Sequence, residues 1–148
     1  MTYVAGVIPP AAEEFLHGHT RTFLVTVRPD GAPTCHPMVG MYHGGALYMT
    51  TYRKSAKVRN LAREPRVACV VVTADDAPRF GGVVLRGRAE LLPPGATMPW
   101  STRGAAPTAR VPGADADLGR AVAAKLAEGK RVVVRVVPEE VRLVGEHA

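Results

Sequence analysis

The sequence predicts a mainly β protein: an antiparallel barrel of six to seven strands, with two or three helices covering its ends. Three observations carry that expectation. Short apolar segments follow one another closely and are divided by turn sequences, Pro29-Asp30-Gly31 and His43-Gly44-Gly45 among them, in which Pro fixes φ and Gly accepts positive φ. Several segments alternate in the strand manner, as in Thr22–Arg28 with Phe23, Val25 and Val27 on one face. Helical spacing is confined to short stretches, so helices serve as covers and the strands make the body.

Length and composition set the bounds. The chain has 148 residues, 47% of them hydrophobic, which suits one domain over residues 1–148 with a core of its own. No apolar run approaches the roughly 20 residues of a membrane span. The N-terminus lacks the basic-then-apolar pattern of a signal peptide, so a cytoplasmic protein is expected. Cys35 and Cys69 both fall in strand-like segments and read as buried thiols rather than a disulfide framework. A net charge of +6 favours anionic ligands. Aromatic content is 5%, without the interleaving of basic and aromatic residues that single-strand binding requires, so nucleic acid is not the expected partner.

The elements follow in order. Pro9 to His17 reads as a short helix, with Pro at its start, Gly18 as its stop, and Ala12, Phe15 and Leu16 as the buried stripe. Thr22–Arg28, Pro33–Tyr42 and Ala46–Thr51 form a meander of three strands. Ser55 caps a helix that runs to Arg63 and that Pro65 prevents from continuing. Arg66–Thr73 is apolar on both faces, as a central strand is. Gly81–Leu92 is a long fifth strand, with Arg86 and Arg88 on one side and Leu85, Gly87 and Ala89 on the other. Residues 93–113 read as a long loop or lid. Asp115–Glu128 is a helix with Leu118, Val122 and Leu126 on one face. Lys130–Val137 is the sixth strand, Pro138-Glu139-Glu140 a turn, and Val141–Val144 a short seventh strand.

The chemistry concentrates where the third strand enters the helix. Thr50 and Thr51 end an apolar strand, Arg53 and Lys54 make the loop basic, and Ser55 and Lys57 open the helix. Helix N-terminal N–H groups, the positive end of the helix dipole and a lysine together suit a phosphate. Successive strand residues point to opposite faces, so one of Thr50 and Thr51 is expected to face the ligand. Arg59 and Arg63 lie four apart, like charges on one helical face, and read as solvated. His17 and His19 have no carboxylate or thiol at ligand spacing, so no metal site is expected. Cys35 and His36 are strand neighbours on opposite faces and make no nucleophile–base pair. Trp100, in the Pro-rich loop, is left with three roles: stacking on a substrate, contacting a partner subunit, or anchoring its loop.

Taken together, these pieces resemble the split β-barrel flavin and deazaflavin oxidoreductases, the superfamily of pyridoxamine 5′-phosphate oxidase. The matching segments are the N-terminal helix, Thr34-Cys35-His36-Pro37-Met38-Val39, Leu47-Tyr48-Met49-Thr50-Thr51 and Ser55 to Val67. Arg86-Gly87-Arg88-Ala89 and Val132-Val133-Val134-Arg135-Val136 complete them. The resemblance covers most of the chain outside the 93–113 loop. It implies a homodimer that binds its cofactor at the subunit interface and acts on a small-molecule substrate. The family's Ser-x-Lys segment falls on Ser55-Ala56-Lys57, which would hold the cofactor phosphate. His36, Pro37 and Met38 would run along the flavin or deazaflavin ring, and Thr50 and Thr51 would contact the ribityl chain and phosphate. The chain is shorter than pyridoxamine-phosphate oxidase and lacks that enzyme's arginine-rich C-terminal substrate segment, so oxidation of a B6 vitamer is not expected. The basic residues Arg53, Lys54, Lys57 and Arg59 suit coenzyme F420, with its phosphodiester and acidic tail, better than FMN. The expected activity is hydride transfer from reduced F420 to a small unsaturated acceptor. The alternatives are an FMN enzyme of the same fold, or a non-catalytic protein that binds a cofactor or haem, with His36 or His43 offered as axial ligand.

Overall fold

The computed structural model describes residues 2–4, 8–101 and 116–145. In chain order they form β1 (Thr2–Val4), α1 (Pro10–Gly18), β2 (Arg21–Val27), β3 (Pro33–Val39), β4 (Met41–His43), β5 (Ala46–Tyr52), α2 (Ala56–Arg63), β6 (Arg66–Val72) and β7 (Gly81–Leu91). A 3-10 turn (Pro99–Ser101), α3 (Ala116–Ala127) and β8 (Arg131–Gly145) complete the order. The strands make one antiparallel sheet in the order β3-β2-β6-β7-β8-β5-β4, with β1 added alongside β8. The sheet curls until its outermost strands, β3 and β4, meet at Gly40. No ladder joins β3 to β5 across the gap, so the barrel is open along a seam there. This is the split barrel that the sequence predicts.

Leu24, Leu47, Met49, Leu61, Val71, Leu85, Val134 and Val136 fill the inside of the curl. α1 closes one end with Ala12, Phe15 and Leu16, as its spacing predicts, and Tyr42 Oη donates to Glu13 at 3.0 Å to tie that helix to β4. A second, smaller cluster lies on the other face of β5 and β8, where Ala46, Tyr48 and Val133 receive Leu126 of α3. None of the helices among the described residues is long and apolar enough to cross a membrane.

Two strand boundaries differ from the sequence expectation, each for a local reason. The predicted strand 33–42 is broken at Gly40, where a Cβ would stand 2.5 Å from Thr22 Oγ1 and 3.2 Å from Leu47 Cδ1. Only a residue without a side chain lets the sheet fold over its own corner there. The predicted turn at Pro138-Glu139-Glu140 is not a turn: β8 runs through it as one strand of 15 residues. Gly87 pairs with Pro138 and Arg86 with Glu140, so Glu139 is the extra residue of a β-bulge. A bulge accepts a proline that a regular ladder would exclude. The sheet closes tightly at that point, since a Cβ on Gly87 would sit 2.0 Å from the Val137 carbonyl oxygen. β1 was missing from the sequence reading, because three residues show no periodicity.

The thiols also divide. Cys69 is fully buried and burial pushes its pKa up to about 12. Cys35 is exposed on β3, contrary to expectation, because it faces the outside of the sheet opposite Val25.

Candidate functional site: a groove along the open seam

A groove of about 720 Å³ follows the seam. Pro37, Met38, Val39 and Met41 form one wall, from the edge strand and its continuation. Thr50, Thr51 and Tyr52 at the end of β5, with Lys57 of α2 and Arg131 of β8, form the polar end. Met98 and Trp100, with Leu118, Gly119 and Val122 of α3, form the remaining wall.

At the polar end Thr50, Thr51 and Lys57 line the groove, and Ser55 stands behind them as the helix cap. Ser55 Oγ accepts from the Val58 N–H at 3.3 Å, the hydrogen bond of an N-cap, and lies 3.4 Å from Thr51 Oγ1. The first helical amides and the side chain of Lys57 therefore share one place with the end of β5. Both threonines line the groove rather than one of the two. Thr51 points toward the buried side, whereas Thr50 points toward β8 and is held by Arg131, whose Nη2 donates to Thr50 Oγ1 at 2.9 Å and to its carbonyl at 3.1 Å. The Arg131 guanidinium also stacks over the Tyr52 ring at 4.6 Å, and Lys125 Nζ donates to Tyr52 Oη at 3.4 Å. The Lys125 hydrogen bond and the two positive charges hold the Tyr52 phenol below its usual pKa.

The remaining predicted residues are dispersed. Arg53 and Lys54 stand outside the groove lining, exposed in the loop between β5 and α2. Arg53 is anchored by its amide, which donates to the Lys130 carbonyl at 2.9 Å. Arg59 and Arg63 are exposed but not idle: Arg59 Nη1 donates to the Lys54 carbonyl at 2.8 Å, fixing the loop, and Arg63 Nη2 reaches the Val27 carbonyl and Asn60 Oδ1. Pro37 and Met38 line the groove, although Met38 also packs on the core. His36 does not line it. Its ring faces inward, where Nε2 lies 3.0 Å from Thr26 Oγ1, which in turn accepts from Asn60 Nδ2 at 3.1 Å. Burial and the nearby charge of Lys57 both lower the His36 pKa from its ordinary value.

Sequence reasoning missed Tyr52, Lys125, Arg131 and the α3 wall. The strand ladder brings Arg131 opposite Tyr52. That pairing joins residues far apart in the chain, and nothing local in either segment signals it.

The geometry defines a split-barrel protein with a cationic groove at its seam. The chain belongs to the pyridoxamine 5′-phosphate oxidase family, whose profile matches residues 8–145. Among solved structures, it is similar to a conserved hypothetical protein of Mycobacterium tuberculosis (28% identity, TM-score 0.68, covering 95% of this chain and 86% of that one). It is similar also to an F420 reductase (26% identity, TM-score 0.61, covering 91% and 98%). A haem-binding protein from Mycobacterium smegmatis matches at 25% identity with a TM-score of 0.64, over 93% of this chain and 55% of that protein. No curated protein matches the chain.

Proposed function

We propose that the groove binds a phosphate-bearing redox cofactor, coenzyme F420 in preference to FMN, and that the protein is an oxidoreductase acting on a small unsaturated acceptor. The observation that carries this reading is a set of cations, at and beside the polar end of the groove, that meet no carboxylate among the described residues. Away from the groove many arginines sit against carboxylates: Arg21 with Asp75, Arg28 with Asp30, Arg66 with Glu64, Arg86 with Glu140, Arg88 with Glu139 and Arg135 with Glu90. Among the described residues, no ion pair joins a carboxylate to Arg53, Lys54, Lys57, Lys125 or Arg131. Charge collected at one end of a groove and left uncompensated is charge available to an anion.

In this reading Lys57, the first amides of α2 and Thr51 hold the phosphate. Arg53 and Lys54 stand at the loop for a longer acidic extension, with Lys125 and Arg131 across from them. That extension favours F420 over FMN, and the likeness to an F420 reductase supports the same choice. The bound cofactor supplies the hydride chemistry, and the protein binds, orients and shields it. His36 serves as a support behind the site, because its inward ring is already engaged by Thr26. The same engagement weakens the haem alternative at His36. His43 packs edge-on against Tyr48 and Trp100, which leaves it poorly disposed as an axial ligand.

The working unit in this reading is a homodimer. The outer face of the sheet carries Phe23, Val25, Ala68, Val70 and Val84, apolar side chains left half-buried and aligned across strands by the ladder register. Pro37 and Val39 continue that face onto β3 and belong to the groove wall as well. A second copy seated on this face closes the groove. The face is rimmed by charges of both signs, Arg86 and Arg88 with Glu139 and Glu140, as a self-complementary twofold interface requires.

Equilibrium binding of F420 to Lys57→Ala and Arg131→Ala tests the site, with Arg28→Ala as a control at a paired surface arginine. Charge-assisted hydrogen bonds contribute about 1.5–3 kcal/mol. Each groove variant is therefore expected to weaken binding roughly ten- to hundredfold while the control is unchanged. Equal affinity in all three overturns the site.

A further inference from the structure

The polar end of the groove rests on a short helix that few buried side chains hold to the barrel. α2 has eight residues, of which Asn60 and Leu61 are the buried ones. A helix of this length is not stable alone, so its place depends on those contacts. Leu61 joins the main core cluster. Apolar burial of this kind is not directional and leaves the rotation of the helix open. Asn60 supplies the direction.

Asn60 Nδ2 donates to Thr26 Oγ1 at 3.1 Å, and the same oxygen lies 3.0 Å from His36 Nε2. Thr26 is fully buried and Asn60 nearly so. A polar chain therefore runs from α2 through β2 to the edge strand β3. Both of its ends reach the groove. Asn60 is one turn beyond Lys57 on the same side of the helix. His36 immediately precedes Pro37 and Met38 of the groove wall. A turn of α2 would leave buried polar groups unpaired, and the chain resists it for that reason.

Thr26 Oγ1 suits the imidazole in either charge state. A neutral ring accepts the hydroxyl hydrogen at Nε2, and a charged ring donates its Nε2–H to the hydroxyl oxygen. A proton is thus accommodated at His36 without rebuilding the chain. On β2 the neighbours of the ring are Thr26 and its ladder partner Leu24. Across the seam the inward residues of β5 are Leu47, Met49 and Thr51, and none of these five titrates. α2 contributes Asn60, the Arg63 guanidinium bound to Asn60 Oδ1, and Lys57, whose charge acts on the ring.

We infer that Asn60 and Thr26 are positioning residues for the anion end of the groove, and that His36 takes up a proton from solvent when an anion settles on Lys57. The identity of the anion rests on the cofactor reading; the coupling rests on the polar chain. Burial, and then the charge of Lys57, hold His36 below its ordinary pKa. An anion on Lys57 offsets the second cause, so the ring binds its proton more readily in the complex than in the free protein. By linkage, the anion binds more tightly as pH falls through the two His36 values.

The test follows the pH titration of the His36 Hε1 resonance in the full chain, alone, with F420 and with sodium sulfate, an anion that does not itself titrate in this range. Both anions are expected to raise the His36 pKa, and neither is expected to do so in Lys57→Ala. Between about pH 7.5 and pH 5, F420 affinity is expected to rise about threefold more in wild type than in His36→Asn. Comparing the two proteins cancels the titration of the cofactor itself. Thr26→Val removes the hydroxyl and keeps the shape; it is expected to weaken F420 at least tenfold, whereas Thr26→Ser retains the wild-type affinity. In a Lys57→Ala background, Thr26→Val is expected to cost less than a further twofold, which separates positioning from a general loss of packing. Asn60→Leu, apolar and of similar size, serves in the same cycle if Thr26→Val does not fold. A His36 titration unmoved by the bound anions, equal pH dependence in wild type and His36→Asn, or a Thr26→Val loss of the same size with and without Lys57 overturns the inference. A His36 response to sulfate in a protein that ignores F420 upholds the coupling and removes the cofactor reading instead, and a protein that binds neither anion loses both.

Discussion

At the scale of single residues, His36 and Lys57 are coupled. Asn60 Nδ2 donates to Thr26 Oγ1, and the same hydroxyl lies 3.0 Å from His36 Nε2, with Lys57 close enough to act on the ring through its charge. Burial and the nearby charge of Lys57 both lower the imidazole pKa. The sign of the consequence is fixed by linkage. The unfolded chain binds a proton near the ordinary value of 6.5, whereas the folded chain binds it only at lower pH. This contribution to stability is therefore complete above about pH 6.5 and is lost as pH falls through the folded value. Chemical denaturation at pH 7.5 and pH 5 is expected to show a smaller pH difference in His36→Asn than in the wild type. Lys57→Ala is expected to move the His36 proton-NMR titration toward its ordinary pKa; an unmoved titration would separate the two residues. Ser55 and Lys57 were legible in the sequence because capping is local. His36 was placed along the ring by resemblance, but its partner Thr26 sits across a ladder that the sequence does not print.

At the scale of elements, the two glycines at the corner and the bulge decide the shape of the sheet. Gly40→Ala places a methyl group against Thr22 Oγ1 and Leu47, and overpacking of this kind costs typically about 1–3 kcal/mol. Gly87→Ala is expected to cost more, because its methyl group would meet the backbone of Val137 and Pro138, which has less freedom to move than a side chain. Urea unfolding of both variants ranks them; a Gly87→Ala protein as stable as wild type would contradict the bulge. The helix cap offers a milder comparison, with Ser55→Ala expected to lose about 1 kcal/mol. Most elements could be read from alternation and turn chemistry. The misreading at Pro138 has a physical cause: Pro-Glu-Glu carries turn chemistry, and the bulge that absorbs it depends on Gly87, far away in sequence on a facing strand. α3 was located by spacing, but its stripe is shared between two duties, with Leu126 buried in the second cluster and Leu118 at the groove.

At the scale of the whole molecule, alternation alone did not say which face is inside. In β2 the more apolar set, Phe23, Val25 and Val27, is only half-buried, while Thr22, Leu24 and Thr26 are the fully buried set. A strand that keeps its most apolar side outward is prepared for a partner on both faces, which is the physical content of the proposed dimer. Val25→Arg, in the middle of the outer face, is expected to give a monomer by sedimentation velocity and to weaken cofactor binding with it. A dimer that persists in Val25→Arg would place the interface elsewhere. The succession of strands along the chain and the cationic loop were legible because both follow from local sequence, whereas the expected meander of 22–28, 33–42 and 46–51 is not formed, because β3 and β5 do not pair. The closure of the groove by α3 and β8 was not, because it depends on pairings that only the assembled sheet provides.

The central claim is that the seam groove is a site for an anionic deazaflavin. The most direct measurement is equilibrium binding of F420 and of FMN to the wild-type protein, followed by fluorescence at low and moderate salt. The account expects micromolar or tighter binding of F420, much weaker binding of FMN, and an F420 affinity that falls as salt screens the exposed cations around Lys57 and Arg131. Equal or tighter binding of FMN would move the protein to the flavin enzymes, and binding of neither would contradict the account.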